Sequence, residues 1–184
     1  MRANNIDKNS REYLLRQMTS ARTNLLLVIV FTVVNLVLLL TDGSTYFLFS
    51  ASVPYYFTAI GMGMDMDAGG SVFTVTALVI SALILVAYLL CWILSKKRIG
   101  WYIVAFVMFI LDTVMLVVMA GSLGLLSDSI VDLIFHAWVL LGLGQALVAN
   151  KKLKKLPPEE IAAEAQPVPA APAPVEEPWN TPGE

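Results

Sequence analysis

Lysine and arginine are missing from two long stretches of this chain, 23–95 and 99–150. Soluble domains carry about 25% charged residues; this one carries 14%. Neither stretch can therefore form the water-facing exterior of a soluble domain. Cysteine and histidine are each present once, as Cys91 and His136. One cysteine excludes an intrachain disulfide and a cysteine-based zinc site within one chain. One histidine leaves a multi-histidine metal centre possible only between chains. No Gly-rich phosphate loop, redox cysteine pair, nucleophile–base pair or nucleic-acid motif is found. These absences argue against an enzyme, a bound cofactor and a nucleic-acid partner. Proline occurs once before residue 157, at Pro54, so nothing else of that kind interrupts the apolar runs.

What fills the chain is hydrophobic: 58% of its residues, with a mean hydropathy of +0.74. A bilayer-crossing helix needs about 20 predominantly apolar residues. Runs at 23–40, 72–94, 101–120 and 130–149 meet or approach this length. The first is too long for the roughly 7–15-residue core of a signal peptide. Residues 1–21 are polar and basic, and Asn9 with Glu12 has capping-box spacing. Leu14, Leu15 and Met18 then share a face, as in a short amphipathic helix lying on a membrane surface. The segment 44–64 is aromatic, with Tyr46, Phe47, Phe49, Tyr55, Tyr56 and Phe57, but short and interrupted by Pro54. It reads as an interfacial or partly re-entrant segment, since aromatic rings favour the headgroup level. Residues 61–70 read as a flexible Gly-rich loop. Residues 151–184 begin with Lys151, Lys152, Lys154 and Lys155, and continue as a Pro/Ala/Glu-rich tail that cannot bury a core, with Trp179 as its one large anchor-like side chain.

The expected fold is an all-α integral membrane protein: a four-transmembrane-helix bundle over 22–150 with an interfacial aromatic segment and a disordered C-terminal tail. Every Lys and Arg falls in the N-terminal segment, in Lys96–Arg98 or in the tail region. The positive-inside rule makes these three segments cytoplasmic, with both termini inside.

Two kinds of side chain stand out within the runs. Small and polar residues recur at helical steps along Thr74, Ala77, Ser81, Ile84, Tyr88, Cys91 and Ser95, and Gly142 with Ala146 forms a small-xxx-small pair. Such faces let helices approach closely in lipid. The second kind is polar or ionisable: Asn35, Asp112, Asp132 and His136. Asp112 and His136 are equidistant from Gly124 in the turn between the last two runs, so an antiparallel hairpin sets them level, roughly 10–15 Å below its rim. Buried ionisable groups are functional candidates by default, which suggests a proton or cation site. Polar residues also serve as interhelical glue; on that reading an Asp112→Asn change is expected to be tolerated. A weaker candidate is the alternation Met62, Met64, Met66 with Asp65 and Asp67, which offers thioether and carboxylate ligands for a metal.

The run Arg22-Thr23-Asn24-Leu25-Leu26 through Asn35, followed by Tyr46-Phe47-Leu48-Phe49-Ser50-Ala51, resembles small bacterial multi-pass membrane proteins of uncharacterised function. The resemblance covers about the first third of the chain. It implies a bacterial plasma (inner) membrane and brings no activity, ligand or site. Two function classes follow from the residues. One is a non-enzymatic accessory or interaction subunit of a membrane assembly, with the lipid bilayer and a protein partner or a second copy as its neighbours. The other is a small oligomeric proton- or cation-linked transporter or channel using the Asp112/His136 pair.

Overall fold

The computed structural model describes residues 10–43 and 46–157. The expected tail, including Trp179, and the residues before Ser10 lie outside them. Five helices follow in order: α1 (Arg11–Leu40), α2 (Ser52–Ala68), α3 (Val72–Leu94), α4 (Gly100–Ser122) and α5 (Ile130–Leu153). Four of them, α1, α3, α4 and α5, are long and apolar enough to cross a membrane. The protein is an all-helical, multi-pass membrane bundle. One end carries the basic segments; the other, without Lys or Arg, carries the loops after α1, α2 and α4.

The start of α1 departs from expectation in two ways. Its N-cap is Ser10, whose Oγ accepts the Tyr13 N–H at 3.3 Å; Asn9 lies outside the described residues. Glu12 pairs instead with Arg16, one turn on, at 2.6 Å. The amphipathic stretch is also not a separate surface helix but the first turns of a continuous 30-residue α1. Its apolar face belongs to the bundle: Leu14 and Ala21 are buried, and the Tyr102 hydroxyl donates to the Met18 carbonyl at 3.0 Å. The core continues through Leu25, Val28, Tyr88, Phe109, Val139, Leu143 and Ala146. The small-residue faces sit at helix contacts. Ala146 is fully buried, and a Cβ on Gly142 would stand 3.3 Å from Asn24 Nδ2, where α5 meets α1.

The larger departure is α2. Residues 61–68, expected as flexible loop, are its last two turns. With 17 residues it is about 25 Å long, short of the roughly 30 Å hydrocarbon thickness. It pairs with α3 as an antiparallel hairpin, and also touches α1 and α4. Pro54, Thr58, Gly61 and Asp65 are buried along one face of α2; Ala77 and Ser81 are buried on α3. The 4-3-4 spacing of small and polar residues on α2 is a helical stripe like that of α3. Ser81 Oγ donates to the Pro54 carbonyl at 3.0 Å and lies 3.2 Å from Thr58 Oγ1. Backbones approach closely here: a Cβ on Gly61 would fall 2.8 Å from the Phe73 carbonyl oxygen and 2.9 Å from Ala77 Cβ.

The hairpin turn is closed by Gly69, whose φ of 70° ends α2 in the left-handed region that glycine adopts without penalty. The Asp65 carboxylate reaches across the turn and caps α3: Oδ1 accepts the Phe73 N–H at 3.0 Å and Oδ2 the Thr74 N–H at 2.6 Å. Burial pushes this carboxyl up, but the Thr74 hydroxyl and the Thr74 and Phe73 N–H groups outweigh burial and hold it below the usual carboxylate range.

Two outcomes follow. Gly61→Ala, with no flexible neighbour to yield, is expected to push α2 from α3 and cost about 1–3 kcal/mol, read as a lowered unfolding midpoint in detergent. The Asp65 cap has a depressed folded pKa, so its contribution is present above the unfolded value of about 3.9 and is lost as pH falls through the lower folded value. The gap in thermal midpoint between wild type and Asp65→Asn is therefore expected to be widest near neutrality and to close below about pH 4; a gap constant from pH 7 to 3 would contradict the cap.

Candidate functional site

The N-terminus of α2 does not lie at the rim of the bundle. It is buried among α1, α4 and α5, and the side chains expected to matter converge on it. An α-helix leaves its first four N–H groups without intrahelical partners. In a bilayer, non-helical backbone is tolerated only where protein or a water-filled cavity surrounds it. Here the partners come from neighbouring helices. The Ala51 N–H, at the N-cap, donates to Thr32 Oγ1 of α1 at 2.7 Å. The Ser52 N–H donates to Asp112 Oδ2 of α4 at 2.9 Å, and the Val53 N–H to Asp112 Oδ1 at 2.8 Å. The fourth position is Pro54, which has no N–H to satisfy. One carboxylate from α4 thus caps α2 with both oxygens, where the helix dipole also favours negative charge.

Asn35 holds the chain just before this point. Its Oδ1 accepts the Phe47 N–H at 2.8 Å, while Nδ2 donates to the Phe47 carbonyl at 2.7 Å and to Ser50 Oγ at 2.8 Å. A side-chain amide thereby pairs with Phe47 as a neighbouring strand would. Phe49 turns the chain inward with φ at 74°, a left-handed conformation uncommon outside glycine. Its ring is locked edge-on against Phe135 and Trp138 of α5, with centroids 5.5 and 5.4 Å away.

Asp112 and His136 are in contact: His136 Nε2 lies 3.0 Å from Asp112 Oδ2, and both residues are at most 2% exposed. The other ring nitrogen, Nδ1, lies 2.9 Å from the Asp132 main-chain carbonyl. A carbonyl only accepts, so Nδ1 carries a hydrogen. The Nε2–Oδ2 contact then needs one further proton between an imidazole lone pair and a carboxylate oxygen. The pair holds that proton as a unit, beneath the stacked ring of Phe109 at 4.9 Å. Ser52 Oγ stands 3.4 Å from the same Nε2, so His136 also touches the first turn of α2.

Asp132 is less completely engaged. It lies one turn before His136 in the first turn of α5 and is 6% exposed. The Tyr46 hydroxyl donates to its Oδ2 at 3.2 Å. Its Oδ1 is buried without a hydrogen-bond partner. Burial, then the charge of Asp132, pushes the Tyr46 phenol above its ordinary range, and the same two causes raise Tyr56. Both phenols therefore stay neutral and able to donate.

The structure brings Asn35, Asp112, Asp132 and His136 to one buried region and leaves the methionine–aspartate alternation apart from it. Met62, Met64 and Met66 lie on a helix, where a step of two residues is about 200° of turn, so Met64 faces away from Met62 and Met66, which are one turn apart. Both Asp65 oxygens are committed to α3. No group of three or more His, Cys, Asp or Glu side chains suited to a metal occurs among the described residues. Thr32, Ser50 and Ser52 belong to the cluster and were not singled out by sequence, and Tyr46, read there only as an interfacial ring, joins them through its hydroxyl. Thr32 accepts from the Ala51 N–H, whereas Ser50, Tyr46 and Ser52 meet the side chains of Asn35, Asp132 and His136, pairings between separate segments that no residue pattern announces. A groove of about 770 Å³ lies elsewhere, lined by Tyr13, Phe106, Leu140, Gly144 and Val148 among others; it has no carboxylate or imidazole.

Comparison with protein-family models, curated proteins and solved structures finds no match to this chain. The resemblance drawn above rests on its quoted residues alone.

The bidentate cap changes what is expected of Asp112→Asn, first read as tolerated if the cluster is structural. An amide offers one acceptor and turns an NH2 toward a second donor, leaving a buried N–H unsatisfied at a cost of about 1–3 kcal/mol. Asp112→Leu strips both N–H groups and is expected to cost more. Equilibrium unfolding in detergent checks the order wild type, Asn, Leu.

Proposed function

We propose that this multi-pass membrane protein is a non-enzymatic accessory or interaction subunit whose buried Asp112–His136 pair is a lock on α2. The observation that carries this reading is the complete engagement of Asp112: both oxygens hold the α2 N-terminus while one also faces His136. A carboxylate so used cannot leave its partners without releasing α2. The lipid-facing sides offer broad apolar surface, including Val79, Leu83, Val107, Leu111, Ile134 and Leu141, on which another membrane helix or a second copy can pack. We place the protein in a bacterial plasma membrane with its basic end in the cytoplasm, because positive charge is retained on that side.

A second reading, proton- or cation-linked transport, draws on one observation: the Nε2–Oδ2 contact requires a bound proton, and Asp132 with an unpartnered oxygen lies one turn away.

Purification of the tagged protein in mild detergent separates these. A stoichiometric partner is expected for the accessory role. A homo-oligomer that carries pH-driven flux in proteoliposomes, lost in His136→Gln while folding persists, would replace it with transport. Orientation is checked separately. In a Cys91→Ser background, cysteines introduced at Gly70 and Ser122 are expected to react with an impermeant thiol reagent on intact cells, and one at Lys97 only after permeabilisation. The reverse pattern would invert the bundle.

A further inference from the structure

We propose that the cavity in front of Asp132 binds a small organic cation bearing a primary ammonium group. The cavity, about 200 Å³, lies at the end of the bundle that has no Lys or Arg and is lined by Tyr46, Tyr55, Tyr56, Asp128, Ser129 and Asp132, with Leu48 and Leu125. Three features select the ligand. The first is an unmet acceptor: Asp132 is 6% exposed and its Oδ1 has no hydrogen-bond partner. A buried acceptor left unsatisfied is costly, and a charge-assisted donor suits it best. Asp132 lies in the first turn of α5, where the helix dipole favours its charge, but the dipole supplies no donor to Oδ1.

The second feature is the absence of an internal counter-ion. No Lys or Arg occurs in 23–95 or 99–150, the stretches that build this end. His136 is the one basic side chain nearby, and its Nε2 faces Asp112. With Asp128 at the rim, the cavity places two carboxyl groups where no Lys or Arg of these stretches can pair with them.

The third feature is aromatic. Tyr46 and Tyr55 meet edge to face at 4.9 Å, and Tyr55 and Tyr56 at 5.9 Å. Tyrosine rings attract organic ammonium groups, and, among the described residues, the cavity lacks the group of three or more His, Cys, Asp or Glu side chains that would favour a metal ion. The volume also exceeds the roughly 30 Å³ share of one water, so there is space for carbon beside the charged nitrogen. The ammonium meets the Asp132 carboxylate where it lines the cavity, its alkyl part lies among the rings, and Tyr46 keeps its bond to Oδ2. A free alkylamine and the ethanolamine headgroup of a lipid both present this chemistry. The site depends on neither the accessory nor the transport role.

The test uses the full chain in phosphatidylglycerol nanodiscs, which supply no ammonium. Ethylammonium chloride is expected to raise the unfolding midpoint saturably, beyond sodium chloride at equal ionic strength. Asp132→Asn, which keeps an acceptor for Tyr46, is expected to weaken the apparent affinity about tenfold or more, as for loss of a charge-assisted hydrogen bond. Tyr55→Leu, which leaves every carboxylate in place, is expected to weaken it as well. If phosphatidylethanolamine in the nanodisc abolishes the ethylammonium shift, and native mass spectrometry finds that lipid retained by wild type but not by Asp132→Asn, the ligand is the headgroup. If the shift persists unchanged, the ligand is a free amine. Equal shifts with sodium and ethylammonium, or wild-type binding in both variants, would overturn the site.

Discussion

The arrangement of this protein depends on a carboxylate placed where a helix begins inside the bundle. The α2 helix starts among three neighbours, at a depth where water does not reach its N–H groups. Asp112 meets two of them, Thr32 a third, and Pro54 removes the need for a fourth. Without that set, the short aromatic helix would bring unsatisfied N–H groups into the bundle, which a membrane interior does not tolerate. His136 in turn fixes Asp112, and its own orientation is set by the main chain one turn back. The most polar part of the interior is thus an adaptor between α4, α5 and a helix that does not span.

The same device appears at both ends of the α2–α3 hairpin. Asp112 caps α2 from outside; Asp65, within α2, caps α3. Each carboxylate accepts two main-chain N–H groups. Between the caps the hairpin is held by a narrow seam of small and hydroxyl residues, Gly61 against Ala77 and Thr58 against Ser81. Lipid tails are as apolar as a leucine side chain, so burying apolar area brings little net attraction between helices within a membrane. Close backbone approach and satisfied polar groups carry more of the specificity there.

Much of this was readable in the residues, and the gaps have physical causes. The four crossing helices follow from run length and hydropathy. The contact of Asp112 with His136 follows from their equal distance to the Gly124 turn, because antiparallel helices rise at the same rate. The α2 helix was obscured because its run contains Pro54, Gly61 and Gly63, which read as breaks when considered alone. Pro54 sits in the first turn, where it costs nothing, and Gly61 is a contact point. The start of α1 was misplaced by one residue, since Asn9 and Ser10 are both capable caps. The acceptor role of Asp112 could not be read at all: its partners are backbone amides, which every residue but proline possesses. Spacing could place the carboxylate at the right level but could not say that it would face a helix end.

The separation of α2 from its cap along the chain bears on how the protein is made. The Ser52 N–H meets a carboxylate that lies 60 residues further on. If the helices enter the bilayer in chain order, α4 is still absent once α1 and α3 are in place, and the amides of residues 52 and 53 then have only water to bond. The aromatic segment must then wait at the membrane surface until α4 brings Asp112 into place and α5 supplies His136 beneath it. Biogenesis is thereby divided into an insertion stage, driven by hydropathy, and a later docking stage, driven by hydrogen bonding.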